Sequence, residues 1–418
     1  MDPHSTQPPG ETQGSSERRR RAIAFVALLG VVSLFADMTY EAGRSINGPF
    51  LALLGAGSLA VGIVSGAGEF LGCLVRLFSG GFVDRRGAYW TGAIIGYAIN
   101  LLAVPALALA GNWPAAAALM IAERIGKGLR NPPRDVMLSA AGSVVGQGRV
   151  FGFHEAMDQI GATLGPLLVA GILALRGTYR QAYGLLLIPA TLAIAVVVVG
   201  RLVFPRPERF QSGGDKSGAE SKAPQPFSPI YWIYLAAMML VAAGLADFPL
   251  IAFHFSQAGV VTPGMIPVLY AVAMAVDALS ALLLGALYDR IGALAMVAGV
   301  AVTLFFAPLV FVFQGAGALL AAFIGMAVWG IGMGAHESIM GAIIARIVPF
   351  RSRGRAYGLF NAGYGAAWFA GSALLGYLYG VSIPALIVFS VVVQAAALPF
   401  LVVVARRLRA LPSGNGRP

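Results

Sequence analysis

Besides Asp135, which adjoins Arg134, nine carboxylates lie inside otherwise apolar stretches of the chain: Asp37, Glu41, Glu69, Glu123, Glu155, Asp158, Asp247, Asp277 and Glu337. A charge at the centre of a bilayer costs about 2.5–3.5 kcal/mol on insertion scales. Groups so placed must face each other, basic partners or a wet cavity. The chemistry open to them is proton exchange or recognition of a polar solute. Helical positions i, i+4, i+7 and i+11 share a face, and the charges fall on such stripes. Asp37, Glu41 and Arg44 form one, and Glu69, Cys73 and Arg76 a second. Glu123, Lys127, Arg130 and Arg134 form the fullest, while Glu155 and Asp158 precede Gly161 and Gly165. Asp247, Ile251 and His254 repeat the first spacing, and the dipeptide Ala36-Asp37 recurs as Ala246-Asp247.

Each stripe has a plainer reading. Buried salt bridges that only lock helices together are favoured for Glu69 with Arg76 and for Arg124, with a gate role as the alternative for Arg76. For Asp37, Glu41, Arg44 and Arg130 a part in passage of substrate or protons is favoured. Glu155 and Asp158 repel when both are ionised, which suits a proton carrier, unless Arg124 or Arg130 neutralises one. Asp247, Asp277 and Glu337 have no Arg or Lys deep in their half of the chain. They are either protonated or paired across the molecule with Arg44 or Arg130. His254 and His336 are proton relays or hydrogen-bonded structural groups. His336 and Glu337 are poor joint metal ligands, because neighbouring helical positions point about 100° apart, and no cluster has metal-ligand spacing. Tyr357, Asn361, Tyr364 and Trp368 follow the same helical spacing, as an aromatic wall for an organic substrate or as packing.

These residues need membrane-spanning helices to position them. Of 418 residues 58% are hydrophobic and 11% charged, with a mean hydropathy of +0.78. Soluble proteins carry about 25% charged residues, so a soluble globular enzyme is excluded. The single Cys73 excludes an internal disulfide and a cysteine-based metal cluster. About 20 apolar residues cross a bilayer, and twelve runs qualify: 23–53, 58–82, 89–110, 114–138, 149–175, 180–203, 229–257, 264–287, 292–313, 316–347, 356–379 and 382–405. Arg18 to Arg21 precede a first run too long for a cleaved signal. The net charge of +11 comes from bases in short breaks between runs, a mark of topology rather than of nucleic-acid contact. Their alternation places both termini in the cytoplasm. Residues 204–228 are polar and read as a cytoplasmic linker. The expected organisation is a tail (1–22), a six-helix bundle (23–203), the linker, a second bundle (229–405) and a tail (406–418).

The halves repeat each other. Gly80-Gly81-Phe82-Val83-Asp84-Arg85-Arg86-Gly87 and Gly285-Ala286-Leu287-Tyr288-Asp289-Arg290-Ile291-Gly292 both read G-x-x-x-D-R-x-G, 205 positions apart. Gly126-x-Gly128 pairs with Gly332-x-Gly334, and Gly148-Arg149-x-x-Gly152 with Gly354-Arg355-x-x-Gly358. Twelve spans, a central linker and this loop in each half resemble the major facilitator superfamily from about residue 23 to 405. The stretches Gly126 to Asp135 and Phe151 to Asp158 resemble one prokaryotic permease subgroup. The loop departs from the family pattern at Ala88-Tyr89 and Ala293-Leu294, where two basic residues usually follow.

The resemblance implies an all-α membrane protein of two pseudo-symmetric six-helix bundles in the inner membrane. It implies a secondary transporter, not an enzyme, that needs no cofactor or nucleic acid and works as a monomer on a small solute. It places Asp84 beside Arg353 and Arg355 and Asp289 beside Arg149, as a cytoplasmic gate built on Gly80, Arg85, Gly87, Gly285, Arg290 and Gly292. Gly161-x-x-x-Gly165-Pro166 resembles the family's antiporter motif, with Val169-Ala170 in place of its final glycines; close packing against the eighth span is the alternative. No phosphate-binding loop is present, so an ion gradient, protons first, is the expected energy source. Proton-coupled export of a small organic molecule is the leading expectation. Import of an anion or zwitterion comes second, and a non-transporting sensor or membrane enzyme follows.

Overall fold

The computed structural model describes residues 9–86, 88–210, 226–313, 315–349 and 352–410, and of 9–15, 80–86, 208–209 and 316 the backbone alone. Every regular element among them is helical. The first five spans are α1 (Pro9–Leu53), α2 (Ser58–Arg86), α3 (Tyr89–Ala106), α4 (Trp113–Val145) and α5 (Gln147–Ala174). The sixth is broken into α6 (Tyr179–Leu185) and α7 (Leu187–Val203), and the seventh into α8 (Pro229–Gly244) and α9 (Phe248–Gln257). The eighth is α10 (Met265–Ile291), and the ninth is α11 (Leu294–Thr303) with α12 (Phe306–Phe311). Then follow α13 (Ala318–Ile347), α14 (Arg353–Val381) and α15 (Ile383–Ala410). Ten of these spans are long and apolar enough to cross a membrane by hydropathy. The other two are α4, which carries its charges from Glu123 to Asp135, and α14, which is rich in Gly, Tyr and Arg.

Local chemistry sets the ends. Asn112 caps α4 by accepting a hydrogen bond from the Ala115 amide at 3.0 Å. Gly146, at φ 109°, ends α4 and starts α5 in one residue. Thr178 and Gln181 form a capping box at α6. The break between α8 and α9 has two causes. Asp247 accepts from the Phe248 amide, and Pro249 occupies the first turn of α9. In an apolar medium the carbonyls released at such a break need donors. Ser390 and Gln394 of α15 donate to Gly244 O at 2.6 and 3.1 Å, and the Trp329 indole of α13 donates to Ala246 O at 2.9 Å.

The first bundle packs α1 on α5 and α4 on both α2 and α3; the second packs α10 on α13 and α8 on both α14 and α15. Three larger contacts join them, α2 with α14, α1 with α9, and α5 with α10, and two smaller ones, α2 with α9 and α1 with α10. Small residues allow the close crossings, since apolar side chains gain little by leaving lipid and packing must supply the attraction. A Cβ on Gly126 would meet the Asn100 backbone, and one on Gly96 the Arg130 backbone, so α3 and α4 touch main chain to main chain. The Gly161, Gly165 and Pro166 motif does not face the eighth span. Gly161 and Gly165 lie on Leu34 and Met38 of α1, and Pro166 is buried. Its small side serves a contact within the first bundle. The crossing to α10 uses Ala162, in one apolar cluster with Ile266 and Tyr270, and Ala170 against Gly264.

Candidate functional site

The charged stripes of α1, α2 and α4 converge with the start of α9 in one buried network. Arg44 sits at its hub. It donates to Asp247 at 2.7 Å and approaches Glu69 at 3.5 Å and Glu41 at 3.9 Å. Arg124 is 3.3 Å from Glu69 and 3.2 Å from Glu123. Lys127 is 4.0 Å from Glu41, and Arg130 is 3.6 Å from Asp37. Five carboxylates therefore surround four cations. Asp37, Glu41, Arg44, Glu123, Arg130 and Asp247 are all buried. Such charges are tolerated only when paired and hydrogen-bonded.

Aromatic and amide groups complete the network, and the stripes alone did not expose them. The Tyr270 hydroxyl of α10 donates to Glu41. The Asn100 amide donates to the Glu123 carboxylate at 2.7 Å and its carbonyl at 3.0 Å. Lys127 Nζ lies 4.0 Å from the centre of the Tyr40 ring, and the Arg130 guanidinium 4.6 Å from that of Tyr97. Cation–π contacts of this kind hold desolvated cations. The legible signal for Asn100 was one amide amid the apolar third span. Tyr40, Tyr97 and Tyr270 carried none beyond aromatic content.

Two partner readings change. Glu69 turns to Arg44 and Arg124, while Arg76 is exposed at the α2 surface. Glu155 and Asp158 do not share a site. Asp158 lies 3.2 Å from His154, which also meets Ser33 at 3.3 Å; Glu155 is exposed and accepts from Gln159 at 3.2 Å. Four residues of helix separate His154 from Asp158, so their side chains stack on one face, while Glu155 points about 100° away.

The second bundle differs. Asp247 is its one carboxylate in the network. Asp277 is 2% exposed, and its Oδ1 has no hydrogen-bond partner. Glu337 is exposed and forms no ion pair. His254 meets the Tyr379 hydroxyl at 3.1 Å and His336 the Tyr364 hydroxyl at 3.1 Å. On α14, Tyr357 donates to Gly341 O at 2.8 Å, Asn361 is half-buried, and Trp368 is buried with its Nε1 unpartnered.

The gate expectations fall in two groups. The side chains of Gly80, Asp84 and Arg85, and Gly87 entirely, lie outside the described residues. Asp289, Arg290 and Arg149 are exposed, and no ion pair joins Asp289 to Arg149. Arg353 donates to the carbonyls of Ala345 and Val348, and Arg355 lies 4.4 Å from the Phe227 ring centre. Gly285 lies by Ser338, and Gly292 ends α10 at φ 66°. At the end of the molecule away from the linker the bundles meet closely. There a Cβ on Gly48 would meet the α9 backbone at Pro249 and Phe253, and Gly264 touches Ala170 and Ala174. At the linker end of α5, Arg149, Phe153 and Glu155 are exposed.

A profile described as Major Facilitator Superfamily matches residues 26–334 and 237–418. The chain is similar to an uncharacterised protein of Mycobacterium tuberculosis, 41% identical over 403 residues, covering 96% of this chain and 97% of that one. It also resembles an uncharacterised MFS-type transporter of Methanocaldococcus jannaschii, 30% identical over 188 residues, 44% of this chain and 46% of that one. Among solved structures, the nucleoside transporter NupG aligns at TM-score 0.65 and 15% identity over 94% of this chain and 100% of that one. A bacterial homologue of the human lysosomal transporter Spinster, inward-facing and occupied, aligns at TM-score 0.66 and 15% identity over 93% and 96%. A D-xylose-proton symporter aligns at TM-score 0.62 and 16% identity over 91% and 97%. These structural likenesses concern the fold. The profile match over nearly the whole length and the long relative at 41% identity make the chain a member of the Major Facilitator Superfamily.

Proposed function

We propose that the protein is a proton-coupled secondary transporter that exports a small organic solute by alternating access. The carrying observation is the buried ion pair between Arg44 of the first bundle and Asp247 of the second, at 2.7 Å. Rocking one bundle against the other must break it, so any event that neutralises Asp247 or competes for Arg44 biases the equilibrium between the two states. Tyr270 on Glu41 is a second contact of the same kind. The half-and-half fold, with polar groups gathered where the bundles meet, is the arrangement from which such carriers work.

On this reading the linker end is cytoplasmic, and the packed far end marks a state closed to the outside. Asp289 and Arg149, apart here, pair when the linker end shuts, as does Asp84 with Arg353 or Arg355. Export rather than import rests on the partial antiporter motif at Gly161, Gly165 and Pro166.

The test is proton movement in proteoliposomes loaded with a pH-sensitive dye. A panel of organic cations, zwitterions and anions is added outside under an imposed pH gradient. At least one class is expected to move protons in wild type. Asp84→Asn, which removes one carboxylate of the repeated loop, is expected to cut that rate severalfold with unchanged expression. Solute uptake indifferent to the pH gradient would remove proton coupling, and full activity in Asp84→Asn would remove the gate.

A further inference from the structure

The cations of the first bundle invite an anionic substrate, but their pairing withdraws them. Arg44, Arg124, Lys127 and Arg130 face Asp37, Glu41, Glu69, Glu123 and Asp247, so the network already holds one carboxylate more than cations. What is left uncompensated lies beside it. Asp277 of α10, Glu337 of α13 and Glu155 of α5 lie within range of one another's charge; Arg44 is in range of Asp277, and Lys127 and Arg44 of Glu337, but among the described residues neither cation forms an ion pair with them.

Helix geometry explains how they meet. Asp277 is two turns beyond Tyr270 on the same face of α10, and Tyr270 reaches the first bundle at Glu41. Glu155 is two turns before Ala162 on the same face of α5, and Ala162 lies in the apolar cluster shared with Tyr270, Met274 and Trp368. Gly330 and Gly334 press α13 against the backbone of α10 at Asp277, because a Cβ at either would strike it. Glu337 follows one turn later. Asp277 is nine-tenths buried and its Oδ1 lacks any donor, while Glu337 and Glu155 are reached by solvent. Tyr364 lies within range of Glu337, 5.8 Å ring to ring from Trp368, whose buried Nε1 is also unpartnered.

A buried carboxylate oxygen with no donor costs free energy that a site does not retain without return. We propose that Asp277, Glu337 and Glu155 form the binding site for the positive charge of a bulky organic cation, whose apolar body rests against Tyr364 and Trp368. The inference deepens the transporter reading and rests on it for the word substrate; as a binding site it stands by itself.

Tetraphenylphosphonium and tetraphenylborate share one shape and differ in the sign of their charge. Equilibrium binding of both to the full-length protein in lipid nanodiscs, with empty nanodiscs subtracted, separates charge from hydrophobicity. Saturable tetraphenylphosphonium binding near one per chain is expected, weakened at least tenfold in Asp277→Asn and severalfold in Glu337→Gln. No saturable tetraphenylborate binding is expected. Glu337→Gln, at an exposed position, keeps the test open if Asp277→Asn fails to fold. Absence of saturable cation binding, equal binding of the anion, or indifference to both variants would overturn the site. Proteoliposome uptake of tetraphenylphosphonium is measured in parallel. Variant-sensitive binding without uptake leaves the site standing and counts against transport of this class. Proton-coupled uptake of an anion with no cation binding does the reverse.

Discussion

The two bundles carry their buried charges in opposite ways. In the first, Arg44, Arg124, Lys127 and Arg130 each lie within 4.0 Å of a carboxylate, and Asn100 and Tyr270 satisfy further oxygens. In the second, Asp277 has an oxygen with no donor, and among the described residues only Asp247 reaches a cation, one borrowed from the other bundle. The first bundle has unpartnered atoms of its own, at Asp37 Oδ1, Arg44 Nε and Arg130 Nε and Nη1, but each of its network cations has a carboxylate within 4.0 Å. Charge met by opposite charge holds a structure in place. Polarity left open is free to respond to a proton or a ligand. The difference assigns structural weight to one bundle and responsiveness to the other.

The sharpest way to break this contrast is Arg44→Ala. It strips Asp247, Glu41 and Glu69 of a shared partner, and removing one member of a buried pair costs about 3–5 kcal/mol. A large fall in the melting temperature of the purified protein is expected, with partial recovery in Arg44→Ala/Asp247→Ala. A small fall would mean that the network is loosely held. Asn100→Leu should cost less, about 1.5–3 kcal/mol, the worth of a hydrogen bond to a charged group. Chemical denaturation of the same sample measures it, and a neutral result would show Glu123 content with Arg124 alone. Asp277→Asn has the smallest expected effect, no loss of thermal stability or a slight gain, since no partner is lost and a buried charge goes. A fall comparable to that of Arg44→Ala would erase the distinction between the bundles.

Much of the fold was legible because hydrocarbon sets a length and a composition that ten of the twelve spans satisfy. α4 was found despite its charges because they lie on one stripe. The breaks were not foreseen. Ala246-Asp247 resembles Ala36-Asp37, yet Asp37 lies mid-helix while Asp247 caps α9, and the discriminating residue is Pro249, which permits a helix to start there. For the site, helical spacing identifies which residues share a face of one helix but says nothing about which helix stands opposite. That is why Glu69 was matched with Arg76 on its own stripe, whereas Arg44 and Arg124 reach it from α1 and α4. The same gap misplaced Gly161 and Gly165, whose small surfaces fit a neighbour that only the packing reveals. Asn112 and Thr178 show what a local partner changes. Their partners lie three residues away, so a helix cap of this kind depends on residue type and not on which helix stands opposite.

The order in which the network's members occur along the chain has a consequence for how the protein is made. Up to residue 203 the network contains Asp37, Glu41, Glu69 and Glu123 with Arg44, Arg124, Lys127 and Arg130, equal in number and opposite in sign. The network of a nascent first half leaving the ribosome therefore enters lipid with its charges balanced. It has no need to wait for the second half. Asp247 arrives later and takes Arg44 as a newcomer, so in chain order this is the latest of the network's ion pairs to become possible.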